Sequence, residues 1–412
     1  MSARRLPLIA LLLANTISLI GEALTMIAIP WYVYETTGSA TKMGLVGAFT
    51  FLPRIIATFF GGAIVDRVGF TAISILADTM SGIAVALIPL IHHTLGLSFP
   101  VLIALVFLGA FFDGPGQTAR ESLVPELARL ANIRLERVNA IYQLVRRLAE
   151  FVGPALAGVL IAVLGASNVL WIDAITFGIS ILLIGLFVPR RLHATTDAET
   201  DVAPATSYWG DLVAGLRFIW DDQLLRWLAI SLAITNFLDA PLSSVTLPVF
   251  VREDYGGVER LGVLLTVFGI GATLSSMIFA AIGHRFPRYH VFTLSFIFFG
   301  LPYLALAAGP SYAVALIVVF AFGLGAGTVN PILMTVRQER VPEKIRARIF
   351  GTFTSIALIA IPLGQLIGGV VVEQLGPHWA LAFAGIGYLL AGISMRLNPA
   401  LRTMATPAPI PA

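Results

Sequence analysis

The sequence predicts an all-α membrane protein of twelve transmembrane helices, arranged as two pseudo-symmetric six-helix bundles. Three observations carry that prediction. Of 412 residues, 58% are hydrophobic and only 12% charged, about half the charged share of a soluble domain, so the apolar excess has to face lipid. Stretches of about 20 mostly apolar residues, long enough to span a bilayer, recur along the whole chain. The chain also repeats itself weakly. TARESLVPE (118–126) aligns with TVRQERVPE (335–343), AIVDR (63–67) with AIGHR (281–285), and GVLIAVLG (158–165) with GVVVEQLG (369–376).

Taken in order, the first half offers spans at 8–34, 43–64, 72–92, 99–119, 141–164 and 168–188. The second offers 224–250, 260–282, 290–308, 311–333, 349–373 and 378–397. Gly and Pro are frequent inside them, which spanning helices tolerate when neighbours satisfy the freed backbone groups. Between the halves, RRLHATTDAETDVAPATS (190–207) reads as a flexible cytoplasmic linker. YWGDLVAGLRFIWDDQLLRW follows, with apolar and charged residues at helical spacing, and reads as an interfacial helix. The expected regions are therefore an N-terminal bundle over 1–188, a linker over 189–223 and a C-terminal bundle over 224–412.

Basic residues set the orientation. With the N-terminus inside, Arg4, Arg5, Arg67, Arg120, Arg129, Arg134 and most of the other lysines and arginines fall on one face; Lys42, Arg252 and Arg260 fall on the other. The positive-inside rule then places both termini in the cytoplasm. Arg4 and Arg5 before an apolar run resemble the start of a signal peptide, but the repeat includes this first helix as a structural element.

Several chemistries are excluded. There is no cysteine, hence no disulfide, thiolate metal site or cysteine nucleophile. The six histidines show no ligand spacing, so no metal and no cofactor are expected. No Gly-x4-Gly-Lys-Ser/Thr loop is present to bind a nucleotide. Basic residues are scattered between apolar runs, which argues against nucleic acid. Catalysis would need convergent nucleophile, base or metal ligands, and no such set is visible.

Charges inside spans are the informative residues, because each is costly there. Glu22 lies in NTISLIGEALTMIAIPWYVY (15–34), and Asp239 occupies the equivalent position of the second half, in TNFLDAPLSSVTLPVF. Pro30 and Pro248 follow at similar distances. Depth counting finds a partner for one acid. With the first outer turn centred near Ser39, Glu22 lies as far before it as Arg54 lies after it, so the two should meet across the first two spans. The corresponding part of the eighth span, TVFGIGATL (266–274), has no cation. Glu22 is thus expected to pair with Arg54, and Asp239 to be the acid that takes up and releases a proton. Asp113, in FFDGPGQTAR (111–120), either lines a cavity or starts a bend near the inner interface. Asp173 is expected at the outer interface, and His92 and His93 in a solvated outer loop. The Phe-rich stretch FTLSFIFFGLPY (292–303) is read either as a wall of a drug-binding site or, in preference, as packing toward lipid.

Two motifs carry a family resemblance. GGAIVDRVG (61–69) resembles the Gly-x3-Asp-Arg-x-Gly loop of the major facilitator superfamily, through Gly62, Asp66, Arg67 and Gly69. Phe70 and Thr71 replace the basic pair that usually follows. FVGPALAG (151–158) resembles the fifth-helix motif of that superfamily's antiporters, through Gly153, Pro154 and Gly158, with Ala157 in place of a glycine. GPGQTARESLVPELARLANIRLERVNAIYQ (114–143), WIDAITFGISILLI (171–184) and GLRFIWDDQLLRWL (215–228) are similar to the drug:proton antiporter branch that includes macrolide-efflux, siderophore-exporter and tetracycline/aminoglycoside-efflux members.

The resemblance implies the major facilitator fold and a bacterial inner-membrane exporter of small amphipathic molecules, acting as a monomer by proton antiport and alternating access. Such exporters confer antibiotic resistance. Asp66 and Arg67 would latch the inner side, and Glu22, Arg54, Asp113 and Asp239 would line the polar path. One proton moving down 100 mV supplies about 2.3 kcal/mol, enough without an ATPase. Export of a siderophore or other metabolite is the alternative; a membrane receptor or enzyme is a third reading.

Overall fold

Helices α1 (Leu6–Thr37), α2 (Ala40–Val68), α3 (Phe70–Thr94), α4 (Phe99–Ala131), α5 (Leu135–Leu164) and α6 (Ala166–Phe187) make up the first half of a computed structural model. An amphipathic α7 (Tyr208–Asp221) precedes α8 (Gln223–Pro241), a π turn (Leu242–Thr246) and α9 (Leu247–Asp254). Then follow α10 (Val258–Ile282), α11 (Arg288–Ala307), α12 (Tyr312–Arg340), α13 (Arg346–Leu375) and α14 (Pro377–Leu397). The structure describes residues 4–189, 208–342 and 345–405; within them the side chains of 58–68, 150–151, 208–209, 211–212, 284, 347 and 405 lie outside the description. The expected linker over 190–207 falls outside as well. Among the described residues there is no strand.

Among the described residues, 11 helices are long and apolar enough to cross a membrane, with α8, the π turn and α9 forming one of them. The 29-residue α2 brings the set to the expected twelve. The structure differs from the apolar pattern mainly in length. TARESLVPE lies within α4, which runs on as helix to Ala131, and residues 335–340 form the last turns of α12, which ends at Arg340. The expected interfacial helix breaks at Asp222, whose Oδ1 accepts from the backbone N–H groups of Leu224 and Leu225 and so caps α8. Such a cap satisfies donors that a helix start leaves unpaired.

The chain divides into two compact units. The first comprises Met1–Ala198 with Gly256–Thr266, the second Glu199–Tyr255 with Val267–Ala412. In the first, α1 packs on α6 and α5, α3 on α4 and α6, and α2 on α4. Leu8, Leu11, Leu123, Leu127 and Ile184 form a buried core cluster there. In the second, α11 packs on α14 and α12, and α8 on α13. Lipid offers no hydrophobic drive for helices to associate, so close van der Waals fit at small residues has to supply it. Gly364 and Gly368, four residues apart on α13, do this against Phe237 and Pro241 of α8, where an added Cβ would collide.

Candidate functional site

In the first unit, three helices converge on one guanidinium. Arg54 follows Pro53 inside α2, and its Nη2 donates to Glu22 Oε1 of α1 at 2.6 Å and to Asp113 Oδ2 of α4 at 2.8 Å. The Glu22–Arg54 contact agrees with the depth argument. The second acid was not placed there, although the same count finds it, since Asp113 lies as far beyond the α3–α4 turn at Gly96 as Glu22 lies before Ser39. Asp113 lies inside α4, which runs on through Pro115 as helix, and it faces Arg54. With both carboxylates ionised the trio carries a net negative charge. It can therefore accept a proton or a cation while Arg54 stays paired.

The α1 segment carrying Glu22 is wedged between two helices. Gly21 faces Asp173 and Thr176 of α6, and Gly153 of α5 faces Ala23. Asp173 is not an outer-interface residue. It is 2% exposed, its Oδ2 accepts from Thr25 Oγ1 at 2.5 Å, and Thr176 donates to both its carbonyl and its Oδ1. A carboxylate removed from water needs such donors, and α1 supplies one a turn beyond Glu22.

Arg120 is not on the inner face to which the apolar pattern assigns it; it is 4% exposed inside the unit. Its Nη1 donates to Asp78 Oδ1 of α3 at 2.5 Å, and Ser180 Oγ of α6 donates to Asp78 Oδ2 at 2.6 Å. Hydropathy treats a charged residue as the end of a span, whereas a buried counter-charge lets the helix continue. Asp78, eight residues past Phe70 in a span that had to meet α4, was the readable signal.

The second unit treats its acid differently. Asp239 lies near the end of α8, just before the π turn, and Tyr303 of α11 donates to its Oδ1 at 2.6 Å. Tyr303 stacks on Tyr388 of α14 with ring centroids 5.6 Å apart, and Tyr388 donates to the Thr235 carbonyl. Among the described residues, no Lys, Arg or His pairs with Asp239. The Phe-rich stretch does not simply face lipid: Phe292, Phe296, Phe299 and Tyr303 are buried at helical spacing, while Leu294, Phe298 and Leu301 are exposed. Phe299 and Phe322 continue this aromatic wall.

Of the motif residues, Gly158 brings α5 against the first turns of α10, where an added Cβ would sit 3.0 Å from the Val258 carbonyl oxygen. Pro154 meets Gly262 in the same contact. Gly69 takes a left-handed φ of +94° between α2 and α3, a conformation that suits glycine. The side chains of Gly62, Asp66 and Arg67 lie outside the described residues. His92 and His93 belong to the last turn of α3 rather than to a loop, and His92 Nδ1 meets Tyr32 Oη at 2.8 Å.

Comparison with known proteins gives a consistent picture. A family model described as "Transmembrane secretion effector" matches residues 5–411. The chain is 32% identical to the multidrug efflux pump Tap of Mycolicibacterium fortuitum, covering 98% of each. It is 25% identical to the enterobactin exporter EntS of Citrobacter koseri, over 98% of the chain and 94% of the relative. The crystal structure of the nucleoside transporter NupG superposes with a TM-score of 0.76 at 13% identity, covering 96% and 98%; that likeness concerns the fold alone.

Proposed function

Because the chain belongs to the transmembrane secretion effector family of the major facilitator superfamily, we propose that it exports small amphipathic molecules in exchange for protons. It is a multi-pass membrane protein and a transporter by family. In our reading it sits in the bacterial inner membrane with both termini cytoplasmic and works as a monomer. The halves 1–188 and 224–412, joined by 189–223, work by alternating access. Asp66 and Arg67 latch the inner side, and the Gly153, Pro154 and Gly158 motif lets helices approach closely enough to rock.

One observation carries the coupling. Asp239 is held by the hydroxyls of Tyr303 and Tyr388, and among the described residues no Lys, Arg or His pairs with it. A carboxylate in that position is expensive when charged and unoccupied, so binding either a proton or a positively charged substrate group offsets the cost. Mutual exclusion at one acid is what antiport needs. Glu22, Arg54 and Asp113 form a second polar station, whose surplus negative charge does the same more weakly. The multidrug efflux relative supports drug-like substrates.

Flux of ethidium or tetracycline in proteoliposomes with an imposed pH gradient tests this. Uptake should follow the gradient and vanish with a protonophore. Absence of flux under every gradient would leave a receptor as the better reading. A metabolite exporter is the second reading, favoured by the likeness to an enterobactin exporter. Accumulation assays in cells with and without the protein separate the two.

A further inference from the structure

At the end of the second unit that our orientation places outside, one imidazole touches three helices. His378 follows Pro377 in the first turn of α14. Its Nδ1 lies 3.0 Å from the carbonyl oxygen of Ala307, the last residue of α11, and its Nε2 lies 3.2 Å from Asp254 Oδ1, at the end of α9. The Phe250 ring meets the imidazole edge-on with centroids 5.3 Å apart. Tyr255 packs on Phe250 and on Tyr312 and donates to the Pro310 carbonyl. The other charged groups at this end of α9 and α13 are Arg252, Glu253 and Glu373; Asp254 is the one whose carboxylate meets the ring.

Both partners of the ring are acceptors. A carbonyl and a carboxylate have no proton to give, so each ring nitrogen must carry its own. The imidazolium has two N–H groups; a neutral ring has one and leaves the second acceptor facing a lone pair. The contact is complete in the charged form and half made in the neutral form, and imidazole passes between these forms over about pH 5–8. The three helices joined here are those of the Asp239 site. Asp254 closes the span that carries Asp239, while α11 and α14 supply Tyr303 and Tyr388, the two hydroxyls on that acid. Rigid helices transmit the setting of their ends to the side chains they carry. We propose that His378 binds a proton from the outer side and, so charged, clamps α9, α11 and α14 to position the Asp239 site for exchange. The proposal rests on the exporter reading. It makes His378 a positioning residue that assembles the site when the outer side is acidic, the side from which an antiporter draws its protons.

Two variants pull the clamp in opposite directions. H378Q replaces the ring by an amide whose single nitrogen reaches one acceptor, at any pH. D254N puts a donor opposite the ring, so a neutral imidazole accepts at Nε2, still donates from Nδ1, and keeps the clamp whole at either pH. Hydrogen exchange over 250–257 and 304–312 is followed by mass spectrometry on the full-length protein in detergent, at about pH 6 and about pH 8, corrected for the intrinsic pH dependence of amide exchange. Wild-type protection should fall at least about threefold as pH rises, the scale of one modest hydrogen bond. H378Q should show the low protection at both pH values. D254N should show the high protection at both, a gain that a misfolded variant cannot produce. In proteoliposomes with a constant pH gradient, flux should follow protection. H378Q should run about threefold below wild type in the acidic part of the range and match it in the alkaline part. Wild-type protection that ignores pH, or a shift of the same sign in H378Q and D254N, would overturn the clamp. Solute exchange in H378Q with the wild-type pH profile would overturn the positioning role and leave the exporter reading standing. Vesicles that move no solute refute the exporter reading, and the role in exchange with it, while the protection data still decide the clamp.

Discussion

The two units hold their acids at repeat-equivalent positions and treat them in opposite ways. Glu22 shares a guanidinium with Asp113, and all three side chains are partly accessible, at 33%, 17% and 28% for Glu22, Asp113 and Arg54. Asp239 has a tyrosine hydroxyl and a wall of rings. Duplication preserved the depth of the acid and not its partner. In the proposed exchange this difference would let one acid stay charged while the other changes occupancy.

The largest expected effect breaks the comparison at Asp239. D239N should reduce gradient-driven flux in proteoliposomes to the background of empty vesicles, while the protein still elutes as a folded species. Retained proton-driven flux would move the coupling to the first unit.

Next come two stability tests of the first unit, read by thermal or denaturant unfolding in micelles. R120M leaves Asp78 buried without its cation and should cost about 3–5 kcal/mol, as for other buried pairs cut on one side. Its side chain and that of Asp78 are 5% and 2% exposed. R54M should cost less, about 2 kcal/mol, because the site is partly open to water and screening. The triple variant E22Q/R54M/D113N should recover much of that loss, since no unpaired charge remains. If the triple variant is no better than R54M, packing rather than charge holds the site.

Smaller still is Y303F. Losing one hydrogen bond to a carboxylate should cost about 1.5 kcal/mol of stability and leave flux measurable, with an altered dependence on pH. A flux profile identical to the wild type would show that Tyr303 does not govern Asp239.

Much of this site was legible in residues. Glu22, Arg54 and Asp239 stand out because charges are rare in spans, and counting from a turn places two antiparallel helices at equal depth. Asp113 obeyed the same count and was left between two readings because its Gly-Pro-Gly neighbours imitate a helix end. Arg120 and Asp173 were assigned to interfaces because hydropathy alone cannot distinguish a charge at the membrane surface from one paired inside a bundle. Tyr303 was invisible as a partner for Asp239, since nothing in spacing says that α11 lies beside α8 at that level.

The chain by itself determined the number of spans, their repeat and the depth of each acid. A bilayer forces every backbone group to be satisfied within a helix of fixed rise, so composition translates directly into position along the membrane normal. Which side chains meet at a given depth was decided only by the tertiary structure. That depends on helix neighbours and on rotation about each axis, set by contacts such as Gly21 on Asp173 and Gly368 on Pro241, and a one-dimensional pattern of apolar and charged residues does not encode them.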